Sequence, residues 1–246
     1  MTGDERRLVL FPGAGSFGSE FHALRSAAGP SSKVMRYPGR SGRDAGEAVS
    51  FEAVVASCAD QIAGLPGARP VLLGHSYGAY LAYATALALA RRPVPVSLLV
   101  VAGASAPDLL RVPPEATASA EAAAAYLDTA DPGQLAAAAP EWREAVAETA
   151  QRDLRVLAEL SLADPPARLS CPVLALRGAR DPLTSDASVA EWQRFTQGDF
   201  GRRTFEGGHS DLLGDPLLAG LVHDELVRGT GAVPPDSHRT AGPAPR

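Results

Sequence analysis

Short, wholly apolar runs alternate along this chain with longer segments whose apolar residues recur at helical spacing. Leu8-Val9-Leu10-Phe11, closed by Pro12-Gly13, predicts a first strand, and Glu20 to Ala28 a helix. Lys33 to Tyr37, stopped by Pro38-Gly39, predicts a second strand. Phe51, Val54, Val55, Cys58 and Ile62 fall on one face of a helix over Phe51 to Ala63. Pro70 to Leu73 then reads as a buried strand and Ala79 to Ala90 as an apolar helix. Ser97 to Val101 and Pro172 to Leu176 are further strands, Arg203 to Phe205 a weaker one, and Leu212 to Val227 a closing helix. Apolar strands alternating with helices predict a parallel sheet covered on both faces.

The pattern changes between Pro107 and Pro165. This alanine-rich stretch, broken at Pro113-Pro114, Pro132-Gly133 and Pro140, predicts two to four short helices and no strand. It follows a central strand, beside the edge where open α/β sheets bind ligands. A helical lid over about 107–165 is therefore expected, the alternative being surface helices that only close the core. From Gly229 to Arg246 the chain is rich in Pro, Gly, Ser and Thr, which predicts a disordered tail after one domain spanning 1–228.

Gly74-His75-Ser76-Tyr77-Gly78 sits between a predicted strand and a predicted helix. That is the context of a nucleophile elbow, and it narrows the class to an α/β-hydrolase fold: a mostly parallel sheet, helices on both faces, a helical insertion. A serine hydroxyl needs a base within hydrogen-bond reach, and the base needs a group that fixes its tautomer. In this fold the partners follow as Asp or Glu, then His. Asp181, in Arg177-Gly178-Ala179-Arg180-Asp181-Pro182, and His209, after Gly207-Gly208, occupy loops at the ends of strands. Asp108 is an alternative acid, because it too follows a strand. His75 is expected to point away from the nucleophile. His22 and His223 lie on predicted helices, and His238 lies in the tail.

The oxyanion donors expected are the backbone N–H groups of Tyr77 and Ala14, the latter in the loop Pro12-Gly13-Ala14-Gly15-Ser16. A phosphate-binding reading of that loop lacks a following Lys-Ser/Thr and a Gly-x-Gly-x-x-Gly fingerprint. The chemistry needs no cofactor, and no metal-ligand cluster is evident in the sequence.

Charge and composition narrow the partners. With 246 residues, 46% of them hydrophobic, the chain can bury one sizeable core. A formal net charge of −5 disfavours nucleic acid. Cys58 and Cys171 form no metal or disulfide framework, and the charged start has no signal-peptide pattern, so a cytoplasmic protein is expected. The longest apolar stretch, Tyr77 to Ala90, is too short to span a bilayer.

These residues resemble the type II thioesterases that accompany polyketide synthases and nonribosomal peptide synthetases. The likeness runs from about Leu8 to about Leu226. It rests on the elbow, on Phe11-Pro12-Gly13-Ala14-Gly15, on the acid and histidine loops, and on Tyr37-Pro38-Gly39-Arg40-Ser41-Gly42-Arg43, which is similar to the family's Pro-Gly-Arg-x-x-Arg segment. The resemblance implies hydrolysis of acyl groups from the phosphopantetheine arm of an acyl or peptidyl carrier protein, with Ser76, Asp181 and His209 as the triad. It also implies a transient carrier partner, and a monomer is expected. Three departures border the acyl pocket: Tyr77 stands where the family usually has methionine, Ser210-Asp211-Leu212 where aromatic residues commonly follow the histidine, and the lid segment matches poorly. Chain release, cyclisation, acyl transfer, small-molecule ester or lactone hydrolysis, and a non-catalytic binding role remain open alternatives. Arg40 and Arg43 serve either a phosphate of the pantetheine arm or a structural role.

Overall fold

Strands whose two faces are both covered must be apolar along their buried length, and the central strands are so over 71–73, 98–102 and 173–176. The structure is a computed structural model that describes residues 6–40, 49–65, 69–132, 135, 139–162, 166–228 and 237–238. Its strands are β1 (Arg6–Phe11), β2 (Ser32–Val34), β3 (Arg69–His75), β4 (Leu98–Ala102), β5 (Val173–Gly178), β6 (Phe200–Phe205) and β7 (Ser237–His238). They form one sheet in the order β2-β1-β3-β4-β5-β6-β7, and every pairing is parallel. The helices are α1 (His22–Ala28), α2 (Phe51–Ala63), α3 (Tyr77–Leu89), α4 (Ala120–Ala130), α5 (Pro140–Ala158), α6 (Asp186–Ala190) and α7 (Pro216–Arg228).

Side chains alternate between the two faces with the period of a strand. Val9, Phe11, Leu72, Leu99, Val101 and Val173 pack with Val54, Cys58 and Ile62 of α2 and Leu81, Tyr83 and Leu89 of α3. Leu8, Leu10, Val71, Leu73, Val100 and Leu174 pack with Leu24 of α1 and Leu218 and Val222 of α7. Register then sets the functional edge. Phe11 pairs with Gly74, His75 with Ala102, Ala102 with Leu176, and Gly178 with Phe205. The loops after β1, β3, β5 and β6 therefore emerge together. β1 lies between β2 and β3, so the strand order reverses there, as at the crevice where such sheets bind ligands.

Several boundaries differ from the sequence expectation. The second strand stops at Val34 because the chain peels away and carries the Tyr37 hydroxyl to the Pro12 carbonyl at 3.1 Å. The last predicted strand begins earlier, at Phe200, where Gly201, Arg202 and Arg203 pair with β5 despite carrying little apolar pattern. The closing apolar run divides into a 3-10 turn, Asp211–Gly214, which buries Leu212 and Leu213, and α7. Within the expected tail, Ser237–His238 pair with Arg203 and Thr204. An edge strand presents unpaired backbone groups that two residues suffice to engage. The rest of that tail lies outside the described residues.

Among the described residues between 107 and 162 there are helices and no strand: the turns Pro107–Leu109 and Pro114–Thr117, then α4 and α5. Their shared core is small, being Ala116, Ala123, Ala150 and Leu154. No helix among the described residues is long and apolar enough to cross a membrane.

Candidate active site

Ser76 has φ 52° and ψ −121°, and among the described residues it is the one non-glycine at positive φ. Such a conformation costs on the order of 1–3 kcal/mol and persists only where the surroundings impose it. Here they do. A Cβ on Gly74 would lie 2.3 Å from the Gly78 carbonyl oxygen, and a Cβ on Gly78 would lie 2.0 Å from that of Phe11. Glycine at both positions lets β3, α3 and β1 meet at backbone contact. The Ser76 N–H donates to Ala102 O at 2.8 Å, and its carbonyl accepts from Ala79 at 2.9 Å. Ser76 lies on the wall of a cavity of about 1080 Å³, together with Ala14, Tyr77 and His209.

Tyr77 opens α3, so its amide is one of the orphan donors of a helix N-terminus. In the loop after β1, the Gly13 N–H donates to Glu20 Oε1 at 3.2 Å and the Gly15 N–H to Asp153 Oδ2 at 2.8 Å. The Ala14 amide between them has no hydrogen-bond acceptor among the described residues.

Asp181 and His209 come together as expected. His209 Nδ1 and Asp181 Oδ1 are 3.0 Å apart, both side chains buried. Asp181 is fixed from its own loop as well: Oδ1 accepts from the Leu183 N–H at 2.9 Å and Oδ2 from the Thr184 hydroxyl at 2.7 Å. Burial pushes its pKa up, but His209 and these two donors outweigh that and hold the carboxyl below its ordinary value. Gly103, at φ 62°, backs the imidazole; a Cβ there would sit 3.0 Å from His209 Cε1. Asp108 instead pairs with Arg194 at 2.6 Å.

Five residues of the site were given no role from the sequence. His75 packs its ring against that of His209, 4.8 Å between centroids, and its Nε2 lies 3.3 Å from the His209 carbonyl oxygen. Ser210 donates from its backbone N–H and its hydroxyl to the two oxygens of Asp131, at 3.1 and 2.6 Å, tying the end of α4 to the histidine loop. Thr184 and Asp153 complete the set. The one available signal was the departure at Ser210.

His75 makes a checkable contribution. Burial, and next the neighbouring His209, lower its pKa from 6.5 to about 3. Between those values the unfolded chain takes up a proton that native His75 refuses. This part of the stability is present above the unfolded value and is lost as pH falls toward the folded one. Urea unfolding should show wild type losing about 2 kcal/mol more between pH 7 and pH 5 than His75→Gln does. Equal losses would mean that His75 titrates normally.

Arg40 takes the structural alternative, not the phosphate one. Its guanidinium is buried and engaged at all three nitrogens: Nε with Asp153 Oδ1 at 3.1 Å, Nη1 with the Ser16 carbonyl, and Nη2 with Gly13 O at 3.1 Å and Asp153 Oδ2 at 2.5 Å. Arg43 lies outside the described residues.

The parallel sheet, the strained serine at a strand-to-helix turn and the Asp-His pair define an α/β-hydrolase. The chain belongs to the thioesterase family, whose Thioesterase domain model matches residues 6–226. It is 34% identical over 215 residues to thioesterase PikA5 of Streptomyces venezuelae, covering 82% of this chain and 74% of that protein. It is 30% identical over 210 residues to a probable cadicidin biosynthesis thioesterase of Streptomyces griseus, covering 84% of this chain but 58% of that relative's length. Among solved structures, the RedJ thioesterase of the prodiginine pathway in Streptomyces coelicolor superposes with a TM-score of 0.76 at 28% identity, covering 92% of this chain and 85% of that one.

Proposed function

We propose that the protein is a type II thioesterase that hydrolyses acyl groups from the phosphopantetheine arm of an acyl or peptidyl carrier protein in polyketide or nonribosomal peptide assembly. The observation that carries this reading is the His209 imidazole, 3.0 Å from Asp181, on the same cavity wall as strained Ser76. Ser76 Oγ attacks the thioester carbonyl while His209 takes its proton, and Asp181 stabilises the imidazolium. The Ala14 and Tyr77 amides receive the oxyanion, and the thiol leaves with the proton. Water, deprotonated by the same imidazole, then cleaves the acyl-enzyme. The cycle draws on these side chains, the two backbone amides and water. Tyr126, Leu127, Leu154 and Leu157 give the cavity an apolar wall suited to an acyl chain, and α4 and α5 serve as its lid.

The test compares one acyl group on a phosphopantetheinylated carrier protein and on coenzyme A, followed by mass spectrometry of both partners. The carrier-bound substrate should be cleaved with a kcat/KM at least roughly 10-fold higher, since remote contacts lower the barrier at the reacting carbon. Equal values on both would overturn the carrier assignment. Product that forms only with added amine or alcohol would replace hydrolysis by acyl transfer.

A further inference from the structure

The helical insertion shares only a small alanine-rich core within itself, yet α5 drives a carboxylate into the edge of the sheet. Asp153 is buried, and its Oδ2 accepts both the Gly15 N–H at 2.8 Å and Arg40 Nη2 at 2.5 Å. Arg40 in turn donates to the carbonyls of Gly13, at 3.1 Å, and Ser16. Its guanidinium lies 4.3 Å from the centre of the Tyr37 ring and 5.7 Å from that of Tyr77, and the Tyr37 hydroxyl donates to Pro12 O at 3.1 Å.

A peptide unit is planar, so fixing its carbonyl fixes the N–H on its opposite side. The Ala14 N–H belongs to the same plane as the Gly13 carbonyl that Arg40 holds. The next plane, from the Ala14 carbonyl to the Gly15 N–H, is held by Asp153. We infer that Arg40 and Asp153 are positioning residues that aim the Ala14 N–H at the developing oxyanion, so that the insertion helps build the oxyanion hole as well as cover it. The inference rests on the oxyanion role proposed above for Ala14. The arginine also polarises the peptide it holds, which strengthens the N–H as a donor. A hydrogen-bond donor contributes to rate only when it meets the oxygen of the tetrahedral state, so the effect of the pair falls on the chemical step.

The test separates aiming from folding. Asp153→Leu alone leaves Arg40 buried and unpaired, and the chain is expected to lose thermal stability. Arg40→Met/Asp153→Leu removes both charges and should recover most of that loss. Asp153→Asn keeps the shape and weakens the pair. Each is assayed in the full chain with a hexanoyl thioester of N-acetylcysteamine for kcat and KM. An alkylboronic acid supplies the second readout: boron accepts the Ser76 oxygen, the serine proton passes to His209, and a tetrahedral anion results. The recovered double variant should show kcat lower by roughly 100-fold, KM within about twofold, and a boronate Ki raised by a similar factor. Asp153→Asn should show the same split at about 10-fold. Wild-type kcat and Ki in Asp153→Asn, or in a double variant that folds, would overturn the inference and leave the triad standing. Undiminished turnover by Ser76→Ala would instead overturn the serine mechanism itself.

Discussion

Ser76→Ala should fold like the wild type and turn over thioester about 10⁴- to 10⁶-fold more slowly. The size follows from the mechanism, because without the hydroxyl there is no acyl-enzyme. What survives is water attacking a carbonyl polarised by the two amides, assisted by His209. His209→Ala should lose a similar amount. The double variant should lose little more than either single one, since the two groups act as one unit. Mass spectrometry adds an independent check: wild type mixed with a slowly deacylating thioester should gain the mass of the acyl group, and Ser76→Ala should not. The strained turn gives Ser76 a separable effect on stability. Ser76 sits at φ 52°, and alanine keeps the Cβ that makes this region costly, whereas Ser76→Gly is freed of it. The glycine variant should therefore be as inactive as the alanine variant and melt higher. Turnover by Ser76→Ala above about 1% of wild type would rule out the serine as nucleophile.

The parts of this site readable from sequence are those whose requirements are local. Gly74 and Gly78 flank Ser76 because one short turn forces backbone against backbone, and that constraint is written within five residues. Asp181 and His209 follow strands, so locating the strands located them. The lost information is of a different kind. Asp153 and Arg40 are separated by 113 residues, and Asp131 and Ser210 by 79. Each acid sits on or beside a helix of an alanine-rich segment, where a lone carboxylate reads as a solvent-facing charge. Only the crossing of α5 over the loop after β1 makes Asp153 a buried acceptor. Arg40 shows the same limit: its motif allowed a phosphate or a structural contact, and burial decided between them. The strand boundaries failed for a related reason. β6 hides at Gly201 and Arg202 because its residues are set by pairing with β5, not by apolar pattern.

Gly78→Ala should be among the most destabilising single methyl additions in the active-site region, costing more than about 4 kcal/mol or preventing folding. The new Cβ would lie 2.0 Å from Phe11 O and 2.6 Å from both Phe11 C and Pro12 O. All three are backbone atoms, so no side chain can swing aside. Phe11 cannot retreat, because β1 is bonded to β2 on one side and β3 on the other. Nor can α3 move outward cheaply, for Tyr77, Leu81, Tyr83, Ala86 and Leu89 along it are buried in the core. Any outward shift would also carry the Tyr77 amide and the Ser76 turn with it, so whatever fraction folds should be catalytically impaired. Gly220→Ala is the matched control. That glycine lies in α7 with nothing within 4 Å of an added Cβ, and the change should stabilise by about 0.5–1 kcal/mol through helix propensity. Urea unfolding of both variants measures the contrast. A Gly78→Ala protein that loses less than about 1 kcal/mol would mean that β1 and α3 do not meet at backbone distance, and the contact that presents Ser76 to the cavity would have to be abandoned.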